Sequence, residues 1–259
     1  MHLKKIKKTS ILDPGDLTVE YTLIGEKGPA VVFESGLGHT LKVWENIIAE
    51  CTVPARLFLY NRAGYGKSKS SNQRRDGRTI AEELHSILYK LDLYPPFILA
   101  GHSLGCAYVQ IFTDMYRDET GGMLLIEPMT AEMDELCEEN NIQEWEDSRL
   151  KKIIVSLFLS KTSKKELAYR DASLHQATQC DFKSNLFPVT IVTAGKAMWT
   201  KPLQQQWLRS HELLAQRIKG SRHIVAEEAG HDIQTGTPGL IAELLDKMIE
   251  SLTVGSDRV

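Results

Sequence analysis

The chain has 259 residues, of which 42% are hydrophobic and 25% are charged, and its net charge at pH 7 is −3. Such a composition is typical of a soluble domain with a sizeable buried core. The slightly negative charge argues against a nucleic-acid-binding protein, which needs a clustered basic surface.

We expect neither a secretory signal nor a membrane span. The basic N-terminal segment is not followed by the run of about 7–15 apolar residues that a secretory signal requires. No window approaches the roughly 20 apolar residues of a transmembrane helix. The cysteines are widely spaced and form no C-x-x-C pair: Cys51, Cys106, Cys137 and Cys180. Free thiols and a cytoplasmic location are therefore expected.

The first predicted element is a strand over residues 17–23, where polar and apolar residues alternate, and we expect it to be antiparallel. The later strands are short apolar runs, typical of a sheet that is covered on both faces. In chain order the next predicted elements are a strand at 30–34, a helix at 43–50, a strand at 56–60, a helix at 80–91 with Thr79 as its N-cap, a strand at 97–100, a helix from Gly105 to about Tyr116, and a strand at 123–126.

Composition changes after this strand. Acidic residues crowd positions 131–147 and lysines are frequent over 149–170, which is typical of solvated helix faces. We therefore predict a helical cap insertion over 129–186, outside a core formed by 1–128 and 187–259. Its apolar side chains are expected either to pack against the core or to line a pocket: Met129, Met133, Trp145, Leu157, Phe158, Leu159 and Phe182.

The pattern then resumes with a strand at 189–193, a helix at 202–214, a strand at 222–226 and a helix at 238–252. Alternation of this kind predicts an α/β fold in which helices cover both faces of a mostly parallel sheet. Reactive groups in such sheets collect at the carboxyl ends of the strands, where the glycine-rich loops of this chain also lie.

One of these loops has the pattern of a nucleophile elbow. The segment Gly101-His102-Ser103-Leu104-Gly105 follows a predicted strand and precedes a predicted helix. The sharp turn would leave no room for side chains two residues before and after the serine, so both glycines meet a steric need. Ser103 is the predicted nucleophile, and His102 is interpreted as a packing neighbour.

With these residues the chain resembles the α/β-hydrolase superfamily, in the branch of serine esterases and lipases. The matching segments are Phe33-Glu34-Ser35-Gly36-Leu37-Gly38, Asn61-Arg62-Ala63-Gly64-Tyr65-Gly66-Lys67-Ser68, Gly101-His102-Ser103-Leu104-Gly105 and Ala229-Gly230-His231. They follow the order of the family along nearly the whole chain. Asn61 is a departure, because the family commonly has Asp there, but this turn is structural.

The resemblance implies a catalytic base late in the chain, and His231 occupies that position. The acid is expected after the strand at 189–193 in most relatives, but the following residues contain neither Asp nor Glu. A minority of relatives take the acid from the end of the strand after the nucleophile helix, which here is Glu127. Glu227 and Glu228, an acid from elsewhere, and a dyad without an acid remain as alternatives.

The resemblance also implies an oxyanion hole formed by the backbone N–H groups of Leu37 and Leu104. His39 lies in the same loop as Leu37, where it would line the pocket without being the base. The predicted activity is therefore hydrolysis of a carboxylic ester through a Ser-His-Glu triad and an acyl-enzyme intermediate.

Several alternatives share these residues. Thioesterase, amidase, lactonase and perhydrolase chemistry would use the same triad, and a weakly catalytic receptor or scaffold could keep the same fold. A dehalogenase or an epoxide hydrolase would need Asp at the nucleophile position. The expected partner is a small-molecule acyl substrate, the expected state is a monomer or homodimer, and no metal or organic cofactor is implied.

Overall fold

A computed structural model describes residues 9–12, 18–141, 160–196 and 200–256. Eight strands form one sheet in the order β1-β2-β4-β3-β5-β6-β7-β8. The strands are β1 (Ser10–Leu12), β2 (Val19–Ile24), β3 (Ala30–Glu34), β4 (Arg56–Tyr60), β5 (Phe97–His102), β6 (Thr120–Ile126), β7 (Val189–Ala194) and β8 (Arg222–Ala226). β2 pairs antiparallel with β1 and β4, and the sheet from β4 to β8 is parallel.

The described helices connect these strands and cover the sheet. They are α1 (Glu45–Glu50), α2 (Gly77–Lys90), α3 (Gly105–Met115), α4 (Ala131–Glu139), α5 (Lys161–Ala168), α6 (Arg170–Thr178), α7 (Lys201–Arg217), α8 (Ile233–Gly236) and α9 (Pro238–Ser256). None of these described helices is long and apolar enough to cross a membrane. The predicted cytoplasmic location stays a prediction.

Alternate side chains of the buried strands supply two separate apolar layers. In β3, Ala30 and Val32 pack in one layer, whereas Val31 and Phe33 pack in the other. Helices α2, α3, α6 and α7 cover the first layer, and α1, α8 and α9 cover the second. Fully burying one such aliphatic side chain stabilises the fold by about 1.5–3 kcal/mol. This packing leaves the carboxyl ends of the parallel strands as the edge at which loops meet.

The predicted strands are all present, and the first is antiparallel as expected. β6 begins at Thr120, three residues earlier than predicted, and β1 was not predicted. One helix start was wrong: α2 begins at Gly77, because Asp76 rather than Thr79 caps it. The Asp76 Oδ1 atom accepts hydrogen bonds from the Thr79 N–H at 3.1 Å and from the Thr79 hydroxyl at 2.9 Å.

The predicted cap segment contains α4, α5 and α6. α6 packs beside α2 and α3, since its Leu174 and Ala177 side chains belong to the same apolar layer. Met133 and Phe182 are buried, and Met129 packs against the core. Trp145 and residues 157–159 lie outside the described residues. The division into a core (1–128 and 187–259) and a cap (129–186) stays a prediction.

The cysteines are free thiols, as predicted, and each of them is buried. Solvent therefore has little access to the sulfur atoms, which behave as small apolar side chains in the core.

Candidate active site

The turn that carries Ser103 lies between β5 and α3. Ser103 has a φ of 51°, a left-handed conformation that is strained for a residue with a side chain. A Cβ on Gly101 would lie 2.9 Å from the backbone of α3, and one on Gly105 would lie 2.4 Å from the Glu34 carbonyl oxygen. The Ser103 N–H donates to the Ile126 carbonyl at 3.0 Å. The turn is therefore tight and joined to the end of β6.

Glu127 and His231, the predicted acid and base, are in contact. Glu127 directly follows β6, has a φ of 51° and is 2% exposed. His231 lies in the loop after β8, and its Nδ1 atom is 3.0 Å from Glu127 Oε2. The alternative acids Glu227 and Glu228 are exposed, and Glu228 instead pairs with Lys196 at 3.0 Å. The fold thus places Glu127, not the alternatives, against the histidine.

Two further groups donate hydrogen bonds to the Glu127 carboxylate. The Ala194 N–H donates to Oε1 at 2.6 Å, and the Trp207 indole N–H is shared between Oε1 at 3.1 Å and Oε2 at 3.0 Å. Ala194 ends β7, the strand after which relatives commonly carry the acid. A buried carboxylate needs such donors, and here they also hold it in one orientation toward His231.

Sequence reasoning did not find Trp207. The residue lies in the predicted helix at 202–214 and is 1% exposed. A tryptophan on the apolar face of a helix predicts core packing. The spacing of apolar residues along the helix does not reveal that the indole N–H faces the residue after a strand.

The residues predicted to form the oxyanion hole belong to two segments, the loop after β3 and the Ser103 turn. Leu37 belongs to the loop after β3, residues 35–38, which we call the oxyanion loop. This loop passes close to the serine, because a Cβ on Gly36 would lie 3.2 Å from the Ser103 Cβ. Leu104 is the N-cap residue of α3. Among the described residues, the backbone N–H groups of Leu37 and Leu104 donate to no protein acceptor.

A buried ion network anchors the oxyanion loop. The Arg62 guanidinium lies 2.6 Å from Glu34 and 2.8 Å from Glu166, and it donates to the first two carbonyl groups of the loop at 2.5 and 3.2 Å. The Tyr65 hydroxyl donates to Glu166 at 2.8 Å and accepts from the last N–H of the loop at 3.3 Å. The backbone of residues 35–38 is therefore held at both ends.

The guanidinium and the two carboxylates of this network shift one another's pKa values. Burial raises the pKa of Glu34, against the opposing effect of Arg62. Burial alone would lower the pKa of Arg62, but the charges of Glu166 and Glu34 outweigh burial and raise it. Sequence reasoning missed Glu166, because it lies in the lysine-rich segment whose charges predicted a solvated helix face, whereas its side chain is fully buried.

His102 links the Ser103 turn to the loop that carries His231, the predicted base. Its Nε2 atom lies 3.1 Å from the His231 carbonyl oxygen, and its buried Nδ1 atom has no hydrogen-bond partner in the part of the chain that the structure describes. Its ring stacks on His39, with 5.4 Å between centroids. Burial lowers the pKa of His102 well below its usual range and also lowers the pKa of His39. His39, His102 and Asp232 are a group of side chains that could hold a metal ion.

Residues 29–184, more than half of the chain, match the family described as alpha/beta hydrolase fold. The chain belongs to this family. The predicted fold class is confirmed, and membership of the α/β hydrolase family supports the interpretation that the protein is a hydrolase. YqjL of Bacillus subtilis (strain 168), an uncharacterized protein, is 23% identical to this α/β hydrolase over 219 residues, which are 84% of this chain and 82% of YqjL.

Solved structures of other proteins share the fold. The enol-lactonase of Burkholderia xenovorans LB400 has a TM-score of 0.68 at 14% identity, over 93% of this chain and 100% of that one. A thermophilic esterase of Thermogutta terrifontis has a TM-score of 0.65 at 16% identity, over 94% of this chain and 98% of that one. At these identities the similarity shows the fold alone.

Proposed function

We propose that this α/β hydrolase cleaves a carboxylic ester, with Ser103 as nucleophile, His231 as base and Glu127 as acid. The proposal depends above all on the 3.0 Å contact between His231 Nδ1 and the buried Glu127 carboxylate, at the sheet edge where the Ser103 turn stands. A serine hydroxyl needs an adjacent base, and the base needs a group that orients it.

The chemistry follows from the direction of the Glu127 contact. Glu127 accepts the Nδ1 proton of His231, which leaves Nε2 to act as the base. This atom takes the proton of the Ser103 hydroxyl as Oγ attacks the ester carbonyl carbon. The alcohol leaves with that proton, and an acyl group remains on Ser103. Water, deprotonated by the same imidazole, then attacks the acyl-enzyme and releases the acid.

Leu37 and Leu104 would stabilise the negative charge that develops on the carbonyl oxygen. Their backbone N–H groups have no protein acceptor among the described residues, and Leu104 lies at the positive end of α3. Removing one oxyanion donor from a serine hydrolase typically costs roughly 10²–10³ in turnover. The anchored oxyanion loop would keep one of these donors in place.

The expected substrate is an ester with an apolar acyl or alcohol part. Met129 is an apolar residue next to the nucleophile turn, since its N–H donates to the Ser103 carbonyl at 3.2 Å. Graded p-nitrophenyl esters would reveal the preferred chain length.

Two substitutions test the proposal. Ser103→Ala should reduce turnover of a p-nitrophenyl ester by roughly 10⁶. Glu127→Gln should keep the fold but reduce turnover by roughly 10²–10⁴, because the imidazole loses the carboxylate that orients it. Glu228→Gln is the matched control, since this exposed glutamate is close in sequence to His231.

Near-normal turnover in Glu127→Gln would show that another residue is the acid. Hydrolysis retained in Ser103→Ala would show that Ser103 is not the nucleophile. A fluorophosphonate probe adds a second readout, because it should label the parent chain and not Ser103→Ala. Labelling without turnover of ester, thioester or amide substrates would instead support the receptor alternative.

A further inference from the structure

Three potential metal ligands converge beside the proposed triad. The Nε2 atoms of His39 and His102 each lie 3.9 Å from Asp232 Oδ1. One ligand atom from each of the three residues lies within 4.8 Å of the other two. In a tetrahedral zinc site with bonds of 2.0–2.1 Å, ligand atoms are about 3.3 Å apart. The three groups therefore need to approach one another by only about 0.5–1.5 Å.

We propose that His39, His102 and Asp232 bind a divalent transition-metal ion, with Zn²⁺ as the best candidate, and that this ion slows the enzyme. Two imidazoles and one carboxylate suit zinc and its neighbours, whereas Ca²⁺ and Mg²⁺ prefer oxygen ligands. Three protein ligands leave a fourth position for water.

The placement of the three side chains allows an ion to enter. The side chains of His39 and Asp232 are 34% and 52% exposed, so an ion can reach them and they can adjust. His102 is fully buried and supplies a rigid third ligand from the protein interior. The His39 ring lies nearly parallel to the His102 ring, with 5.4 Å between centroids, so the partly exposed His39 ring has to turn for both Nε2 atoms to face one ion.

Binding changes the bonding of His102. Its Nε2 faces the His231 carbonyl oxygen at 3.1 Å and must carry a proton, because that oxygen can only accept. The ion replaces this proton, which moves to Nδ1. Among the described residues Nδ1 has no hydrogen-bond partner in either tautomer, so the cost of the change is the hydrogen bond that the His231 carbonyl oxygen loses.

The consequence reaches the triad through neighbouring residues. His102 directly precedes Ser103, and Asp232 directly follows His231. A bound ion removes the hydrogen bond between His102 and the His231 carbonyl and draws Asp232 toward itself, so the imidazole of the base shifts. This inhibitory effect depends on the proposed ester hydrolysis, whereas the binding of the ion does not.

The binding test uses the full-length chain without a polyhistidine tag. Zinc chloride is titrated in competition with a chromophoric chelator. We expect one zinc ion per chain with micromolar affinity, and at least tenfold weaker binding in His39→Ala and in Asp232→Asn. His175→Ala is the matched control, because it removes an exposed histidine on α6 and should bind zinc normally. Ser103→Ala should also bind normally.

Several outcomes would overturn the site. These are no zinc binding by the parent chain, equal binding by His39→Ala and His175→Ala, or binding that survives Asp232→Asn but is lost in His231→Gln, which would place the ion on the triad. Substitution by Co²⁺ provides a spectroscopic check, since its visible absorption reports nitrogen and oxygen ligation.

The rate measurement tests inhibition separately. Ester hydrolysis should fall in proportion to zinc occupancy and recover on addition of EDTA, each variant being compared with its own metal-free rate. Zinc binding without any loss of rate would refute the inhibitory role. A chain that hydrolyses no ester would refute the proposed function and leave the binding result intact.

Discussion

At the scale of single residues, the Glu127 carboxylate is held by donors from three different elements. They are the Ala194 N–H at the end of β7, the Trp207 indole on α7 and the His231 ring after β8. The left-handed backbone of Glu127 turns its side chain from the end of β6 toward them. The indole contacts both carboxylate oxygens, which makes Trp207 a positioning residue for the proposed acid.

Replacing Trp207 by Phe should therefore lower kcat for ester hydrolysis by roughly tenfold to a hundredfold, the range expected for a lost hydrogen bond to a charged group. The phenyl ring keeps most of the buried apolar surface, so the fold should persist. Steady-state kinetics together with a thermal melt would separate these effects.

A double-mutant cycle supplies the control for this prediction. If Trp207 acts through Glu127, the change to Phe should have little further effect on kcat in the Glu127→Gln chain. An undiminished effect in that background would mean that the indole acts on general packing instead.

These residues also show what the sequence could predict about the site. Glu127 was predictable, because the strand at 189–193 is followed by no acid and the preceding strand ends in a glutamate. Trp207 and Glu166 were not predictable, because each contacts the site from a helix. The sequence pattern of a helix indicates burial or charge, but not which residues of other elements a side chain contacts. Contacts of this kind depend on how elements pack, and a single sequence does not encode them locally.

At the scale of elements, the oxyanion loop is tied to α5 through the Arg62 network. Glu166 on α5 binds both Arg62 and the Tyr65 hydroxyl, and these two residues hold the backbone of residues 35–38. A helix of the predicted cap thus braces the loop that carries the Leu37 donor. Movement of α5 would be transmitted to that donor.

Tyr65→Phe tests this connection. The change removes the acceptor for the N–H of Gly38 and also the hydrogen bond that the Tyr65 hydroxyl donates to the Glu166 carboxylate. We expect kcat to fall at least about fivefold with little change in KM, because the neutral bond to the loop alone contributes about 1 kcal/mol. The measurement is steady-state hydrolysis of a p-nitrophenyl ester.

Tyr108→Phe is the matched control for this change. The Tyr108 hydroxyl is also buried, and the Tyr108 ring also lies near Arg62. Within the described ranges this hydroxyl has no hydrogen-bond partner. Its removal should leave kcat unchanged and stability equal or slightly higher. Equal losses of kcat in the two variants would show that the ring environment, not the loop anchor, controls the rate.

Element boundaries show how far local pattern extends. The apolar runs predict β3 and β4 with the observed ends, since these strands are buried along nearly their whole length. The ends of β8 were also predicted, although most of that strand is only partly buried or exposed. The start of α2 was misplaced because Asp76 and Thr79 both suit an N-cap, and only the backbone shows that Thr79 already lies within the helix. β1 was missed because a strand of three residues at a sheet edge has little pattern.

At the scale of the whole molecule, buried neutral histidines connect stability to pH. His211 on α7 is fully buried, with its Nε2 atom 2.7 Å from the Pro128 carbonyl oxygen and its Nδ1 atom 2.6 Å from the Thr193 hydroxyl. Burial lowers the pKa of His211 to about 4, against the opposing effect of the Glu127 charge, while His223 and His231 act in the same direction as burial.

The sign of the effect follows from proton uptake. Below about pH 6.5 the unfolded chain binds a proton on this histidine, whereas the folded chain does so only near pH 4. The free energy of unfolding is therefore highest above pH 6.5 and falls with decreasing pH until about pH 4. One such group contributes a slope of about 1.4 kcal/mol per pH unit, or about 2 kcal/mol between pH 6.5 and pH 5.

His211→Gln should flatten this slope. Glutamine can still donate to the Pro128 carbonyl but takes up no proton. In urea unfolding at pH 7, 6 and 5, the free energy of unfolding should therefore fall with decreasing pH by nearly one proton less than in the parent. This difference in slope does not depend on the stability of the variant at pH 7. His175→Gln should keep the parent slope, because that side chain is exposed on α6. If His211→Gln kept the full slope, the acid sensitivity would belong to other groups. Among these, the fully buried His102 and the partly buried His39 have pKa values lowered in the same direction.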